Sequence, residues 1–362
     1  MTGEIKKRND LSLPGRSKCL IMDDDYIYYS KESGGSTSVY YISILDFIGD
    51  NAETLVGTRS PNTGYTSIYT MKLDKLDNMD ILIGSMLQYS DTDIDELFCY
   101  WKNVHTSPTR QDGVTGYWEY EGMVGWTGAN DYCYYIGSSS AGDHGVVRDR
   151  RYVNTSDYAS KSGGTGGFGN WHDVACSNRY IHGIDLRVGG VGPSGIYGIY
   201  DVTKWDDAWE DFELYYASIS GRSGIIYDSV NDKFISWGYN NRRIYIADPT
   251  SSNPDAVYFD TPSSEGNVTD VRSYGGYLYI GTTTNGKVLV YDISGNKKGE
   301  YDTGVASPIT AVAANASYVC AVCSGWMYLW KIAGVPVSVN MSFPLGGLKS
   351  RSIISFARGV SI

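Results

Sequence analysis

Short runs of Val, Ile, Leu and Tyr alternate with clusters of Gly, Asn, Asp and Ser along almost the whole chain, and helical spacing of apolar residues is nearly absent. Alternation of this kind, closed off by turn-forming residues, predicts short β-strands. The clearest unit is Val268–Ser294, VTDVRSYGGYLYIGTTTNGKVLVYDIS. It predicts strands over Val268–Ser273, Tyr277–Thr282 and Lys287–Ile293. Gly275-Gly276 and Asn285-Gly286 supply the turns, where a positive φ costs Gly and Asn least. The layout recurs in Ile309–Gly334, Gly224–Pro249 and Cys19–Asp46, the last with Gly34-Gly35 at its turn and an exit strand over Val39–Leu45.

An aromatic residue in each exit strand marks the repeat: Tyr41, Tyr69, Trp101, Tyr135, Tyr200, Tyr245, Tyr291 and Trp330. From Tyr200 onward these fall close to the roughly 40–45-residue period of a four-stranded propeller blade. The wide interval after Tyr135 holds the Gly/Ser-rich stretch 138–170, which reads as a long insertion, and the close early intervals leave room for a spurious marker. The exit strands KVLVYDIS, MYLWKIAG and RIYIADP resemble the last motif strand of WD40-like and quinoprotein-like propellers, although the Gly-His pair and regular Trp-Asp of true WD40 repeats are lacking. The resemblance implies an all-β fold: a single β-propeller of about seven four-stranded blades over residues 18–362, preceded by an N-terminal arm at 1–17. Each small sheet has faces that only its neighbours can bury, so the blades must close in a ring. The tail Ser352–Ile362 is strand-like and is expected to pair with the first blade, whose N-terminal section reads as only three strands, hiding the exposed edges.

Composition narrows the function. Hydrophobic residues make up 42% of the chain, ample for a core, while 41 acidic against 30 basic residues leave a net charge of −11. The basic groups Lys6-Lys7-Arg8, Arg148/Arg150/Arg151 and Arg242-Arg243 are too short to overturn that sign, which argues against a nucleic-acid partner. Tyrosine stands out at 32 residues against 8 Phe and 9 Trp. Tyr suits a pleated sheet and, with Ser, Gly and Asn, also suits an interaction surface. Six scattered cysteines imply no disulfide framework. The N-terminus carries no apolar core of signal-peptide length, and no segment is apolar enough to enter a membrane as a helix. The expectation is a protein made in a cytoplasm without an export signal. Its polar composition suits an extracellular setting, and a particle released by lysis reconciles the two.

Candidate chemistry is sparse. Asp91, Asp93 and Asp95, in DTDIDE, place alternate carboxylates where a hairpin loop is expected, an arrangement that can converge on Ca²⁺. Glu96 stands where glycine is usual, and Cys99 where a closing acid is usual; a solvated acidic turn is the favoured reading, and more so for Asp23-Asp24-Asp25. In WHDVACSNRYIHGID, His172, Asp173, Cys176, His182 and Asp185 match no zinc spacing and read as ordinary polar residues. Gly164, Gly166 and Gly169 satisfy G-x-G-x-x-G without a strand before or a helix after. Cys320 and Cys323 lie in one strand at an odd separation, which points them to opposite faces. The nearest approach to a sialidase Asp-box, around Ser229–Trp237, has Asn231 and Lys233 in place of Asp and Gly. The segment 205–213 concentrates Trp205, Asp206, Asp207, Trp209, Glu210 and Asp211, which suits sugar stacking with carboxylates; its aromatics also fit one face of a short helix.

The reading that follows is a non-enzymatic structural or binding propeller without a required cofactor. It is expected in a phage-like particle, as a tail, portal-proximal or surface adsorption protein in multiple copies. Its partners would be other particle proteins and a host-surface glycan or protein, met through 138–170 and 205–213, since loops on a rigid scaffold carry function. The alternatives are a glycan-processing propeller enzyme using the carboxylates of 206–211, and a cytoplasmic WD40-like interaction scaffold.

Overall fold

The computed structural model describes residues 4–13, 18–76, 80–90, 94–119, 123–127, 132–138, 144–149, 158–162, 171–185, 195–204, 213–217, 222–238, 241–251, 253 and 256–332. Its strands pair into seven four-stranded antiparallel sheets. The innermost strands, in order from the first sheet to the seventh, are Leu20–Met22, Ser67–Lys75, Met123–Thr127, Trp171–Cys176, Arg222–Asp228, Val268–Tyr274 and Ile309–Ala314. Each touches the next, and Ile309–Ala314 returns to Leu20–Met22. This all-β arrangement of small sheets side by side is that of a β-propeller.

The sixth sheet shows how sequence sets each unit. Val268–Tyr274, Tyr277–Thr282 and Lys287–Asp292 are its first three strands. Gly275 and Gly276, at φ 60° and 80°, make the first turn, and Gly286, at φ 62°, the second. The middle strands are buried almost end to end, whereas the outer strand Lys297–Asp302, KKGEYD, is largely open. A strand buried on both faces must be apolar throughout, because each alternate side chain meets a different neighbouring sheet. The seventh sheet makes this explicit. Cys320, Val322, Met327 and Leu329 pack with Leu20, Ile27, Tyr29 and Ile42 of the first sheet. Val319, Ala321, Cys323, Tyr328 and Trp330 pack with Tyr279, Val288, Val290 and Tyr301 of the sixth. The two thiols of the C-x-x-C thus face opposite neighbours, as their spacing predicts.

Three expectations are corrected. The first sheet has four strands of its own, Leu20–Met22, Tyr26–Ser33, Ser36–Ser43 and Thr54–Arg59, so it lacks nothing that the tail could supply. It is the seventh sheet that borrows a strand: Glu4–Arg8, expected as part of an arm, pairs antiparallel with Trp326–Lys331. Residues 352–362 lie outside the described residues. The exit strand expected over Val39–Leu45 ends at Ser43, which caps the short helix Ile44–Ile48 by accepting the Asp46 N–H. Finally, 138–170 is not simply an insertion. It contains His144–Asp149 and Tyr158–Ser162, the third and fourth strands of the third sheet. The outer strand Tyr158–Ser162 carries few apolar residues, as Lys297–Asp302 does, so its pattern resembles a loop. Among the markers, Tyr69 lies in an innermost strand and Tyr135 in a second strand, which accounts for the uneven early spacing.

Candidate functional site

The residues singled out from the sequence fall mainly where nothing further is described. Trp205, Asp206, Asp207, Trp209, Glu210 and Asp211 lie outside the described residues, as do Asp91 and Asp93. Asp95 lies in the strand Ile94–Lys102, opposite Gln88 and Glu119, and not at a loop tip. Among the described residues no group of three or more His, Cys, Asp or Glu is placed to hold a metal. What the structure brings together instead are two polar clusters, around Asp173 and Asp23, which the sequence reads as ordinary polar residues and a solvated turn.

The first cluster lies where the innermost strands converge. Five of those strands carry a register shift at a corresponding place, between Thr70/Lys72, Trp171/Asp173, Arg222/Gly224, Val268/Asp270 and Ile309/Ala311. A bulge re-aims the side chain that follows it. In the fourth and sixth sheets that residue is aspartate, and both carboxylates are fully buried. Asp173 accepts the N–H of Val174 at 2.8 Å and that of Ile225, in the fifth sheet, at 3.0 Å. Asp270 repeats the pattern with Val271 and with Val312 of the seventh sheet, both at 3.0 Å.

Charge separates the two. Lys18, next to the first sheet, and Lys72, in the second, converge on Asp173 with Nζ at 3.1 and 3.4 Å, and Lys72 also donates to the Val174 carbonyl at 2.7 Å. Burial pushes the Asp173 pKa up, but the two ammonium charges and the N–H donors outweigh it and hold the carboxyl at about 2. Asp270 has Arg272 Nε only at 3.7 Å, and burial prevails there, raising its pKa despite Arg272, the Val312 N–H and Lys18. Arg272 Nε donates to the Val312 carbonyl at 3.1 Å, while its Nη2 is buried without a hydrogen-bond partner.

The second cluster sits between the first and second sheets. Asp23 closes the turn into Tyr26–Ser33 by accepting the N–H groups of Asp25 and Tyr26. Its other oxygen accepts from the Tyr28 hydroxyl at 2.6 Å and from Lys75. Burial raises the Asp23 pKa, but the bonds from Lys75 and Tyr28 win and leave it below the usual range. The Tyr28 oxygen also lies 3.1 Å from His105 Nε2, and the His105 ring stacks on Tyr26 at 4.2 Å. His105 Nδ1 is 2.6 Å from Asp80 Oδ1 without hydrogen-bond alignment, and its backbone N–H reaches Asp80 Oδ2 at 3.2 Å. Burial, then Asp23, push the Tyr28 phenol far above its usual pKa, so it donates a proton and is no nucleophile.

The remaining reactive groups are similarly engaged. His182 stacks face to face on Phe234 at 3.4 Å, with Nε2 at 2.8 Å from the Pro249 carbonyl, and burial lowers its pKa to about 3. It is a neutral core group bonded to the Pro249 carbonyl. Burial raises the thiols of Cys19 to about 11 and Cys99 to about 12, so neither offers a thiolate near neutrality. The sequence carried one sign of the axial cluster, Asp173 in a strand otherwise built for burial. The sequence alone could not show which cations reach it, because Lys18 and Lys72 are far from it along the chain.

No family model matches the chain, and no curated protein matches it. Solved structures do. The Dos1 propeller is 9% identical with a TM-score of 0.59, over 91% of this chain and 95% of that one. A catalytically inactive virginiamycin B lyase from Staphylococcus aureus, solved with quinupristin, is 8% identical with a TM-score of 0.58, over 90% of this chain and 99% of that one. The computationally designed Ika8 protein is 11% identical with a TM-score of 0.53, over 91% of this chain and all of that one. At such identities the likeness concerns architecture and not chemistry, and together with the side-by-side sheets it shows that the chain is a β-propeller.

Proposed function

We propose that this protein is a non-enzymatic binding and scaffold propeller, a closed ring of seven blades locked by its N-terminal strand. The observation that carries the reading is how the described chemistry-bearing groups are used. Asp173, Asp270, Asp23 and His182 join one strand or sheet to another, and burial keeps the thiols of Cys19 and Cys99 protonated. Groups that saturate one another inside a frame stabilise the frame, and recognition then falls to its loops and edges.

The finer reading, supported by composition, places the protein in a phage-like particle as a tail, portal-proximal or adsorption component. An acidic composition rich in Tyr, Ser, Gly and Asn suits polar, repeated contacts between proteins better than one large apolar patch. The segment 205–213 and the loops within 138–170 are the proposed contact elements, toward neighbouring particle proteins or a host-surface glycan or protein.

The test is native mass spectrometry and negative-stain imaging of the purified protein, alone and with particles from its source. Rings, or density at a fixed place on the particle, are expected. A monomer that never associates with particles overturns the particle assignment. Cleavage of a polysaccharide, lost in Asp206→Asn or Glu210→Gln, would instead establish glycan processing.

A further inference from the structure

His105 stands on the connection between Ile94–Lys102 and Thr109–Glu119 of the second sheet, and its ring lies against the first. Three tyrosines of the first sheet border it: Tyr26 stacked at 4.2 Å between centroids, Tyr41 edge-on at 4.9 Å and Tyr28 tilted at 5.8 Å. The neighbouring Val104 is buried and donates its N–H to the Asp80 carbonyl at 3.4 Å, which pins the connection to its own sheet.

Counting protons fixes the state of the ring. Tyr28 has a single hydroxyl proton, and burial, then Asp23, keep it in place. That proton goes to Asp23 Oδ2 at 2.6 Å, the shorter contact and the charged acceptor. Burial raises the Asp23 pKa, but Lys75 and Tyr28 outweigh it and leave the carboxylate ionised. The Tyr28 oxygen then has only a lone pair to offer His105 Nε2 at 3.1 Å, so Nε2 is the donor. On the far side of the ring, Nδ1 lies 2.6 Å from Asp80 Oδ1, a buried oxygen with no hydrogen-bond partner among the described residues. The contact is bent, yet two lone pairs repel too strongly to sit that close, so Nδ1 carries hydrogen as well. A ring protonated at both nitrogens is an imidazolium.

The surroundings suit that charge. From the first sheet Asp23 faces the ring through Tyr28, and from the second Asp80 faces it directly. The nearby ammonium, Lys75, is spent on Asp23. The Tyr26 face adds a cation–π attraction.

We propose that the seam between the first and second sheets is a proton-operated clasp, closed by the His105 imidazolium and released when His105 loses a proton. The closed seam holds a proton that the open one holds less tightly. Its stabilisation is therefore full at low pH and is lost as pH rises through the His105 titration. His182, buried and neutral, has the opposite sign, so the readout has to be local. The clasp does not rest on the particle assignment.

The experiment is long-range ¹H–¹⁵N NMR of the full-length protein labelled in its four histidines, between about pH 5 and 9, with amide exchange over the same range. His105→Gln assigns the resonance. Below its titration His105 should show both nitrogens protonated, with the Val104 and His105 amides protected. Above it, their protection factors should fall by about tenfold or more, the weight of a charged hydrogen bond. In His105→Gln the Val104 amide should be less protected and should lose that pH dependence. Tyr28→Phe removes the acceptor at Nε2 and should move the titration to lower pH. A neutral His105 alongside protected amides would put the proton elsewhere and overturn the proposal. So would the native pH dependence in His105→Gln; if that variant does not fold, the native titration decides by itself.

Discussion

Asp173 and Asp270 occupy corresponding places in two sheets, accept corresponding N–H groups, and are pushed in opposite directions by the cations around them. A buried charge whose partner is removed costs several kcal/mol. Asp173→Asn leaves Lys18 and Lys72 facing a neutral amide, and urea denaturation at pH 7 should show a loss of about 3–5 kcal/mol. Asp270→Asn removes a charge that burial disfavours and should cost clearly less; equal losses would sink the distinction. Acid separates Asp173 from His182. The Asp173 carboxyl sits at about 2 against 3.8 when unfolded, so its stabilisation is complete above pH 3.8 and is lost only as pH falls toward 2. His182 sits at about 3 against 6.5, so its contribution is complete above pH 6.5 and fades as pH falls through that whole range. Near pH 4.5 that loss should be roughly 2–3 kcal/mol, at 1.36 kcal/mol per unit. His182→Phe should be less stable at pH 7, with the Pro249 carbonyl unpaired, yet flatter in melting temperature between pH 6.5 and 4.5. An unchanged slope would count against His182.

At the scale of the element, the bulge and its following residue decide how closely sheets approach. In the fifth sheet the residue after the bulge is Gly224, and a Cβ there would lie 2.1 Å from Trp237 Cζ2. Trp237 is fully buried among Val268, Val271 and Leu278 of the sixth sheet, so it has nowhere to retreat. Gly224→Ala should therefore cost at least the 1–3 kcal/mol typical of overpacking, measurable by chemical denaturation. A loss of under half a kcal/mol would mean the strand shifts freely. Trp101 sits against Gly84 in the second sheet at 2.8 Å from its would-be Cβ, the same use of a bare backbone under an indole.

For the whole molecule, the strand Glu4–Arg8 matters most, because it joins the two ends of the ring. Arg8 is almost fully buried. It pairs with Asp10, donates to the Asn51 carbonyl at 2.7 Å and lies over the Phe47 ring, which ties the seventh sheet to the helix of the first. Lys6 pairs with Asp50 on the same seam. Removing residues 1–8 should lower the unfolding midpoint of the whole ring in one transition and expose the edge Trp326–Lys331 to self-association. Differential scanning calorimetry with light scattering checks both; a stable, monomeric truncation would show that closure resides elsewhere. Where the innermost strands converge, Lys18 and Lys72 meet Asp173 and Arg272 stands beside Asp270, so charge is gathered there in pairs.

Local pattern was enough to determine the all-β class and three of the four strands of the sixth sheet within a residue or two, because turn glycines and alternation act over a few residues. It also determined that Cys320 and Cys323 part company across a strand, since pleating alternates side chains. The strands His144–Asp149 and Tyr158–Ser162 escaped it, because HGVVRD and YASKS carry few apolar residues among Gly- and Ser-rich neighbours. The strand Glu4–Arg8, read as part of an arm, escaped it, because edge pairing depends on which edge is vacant, here that of Trp326–Lys331. The meeting of Lys18 and Lys72 with Asp173, and the orphaned nitrogen of Arg272, arise only when distant innermost strands converge on one axis. Contacts of that kind leave no local periodicity, so only the tertiary structure could decide them.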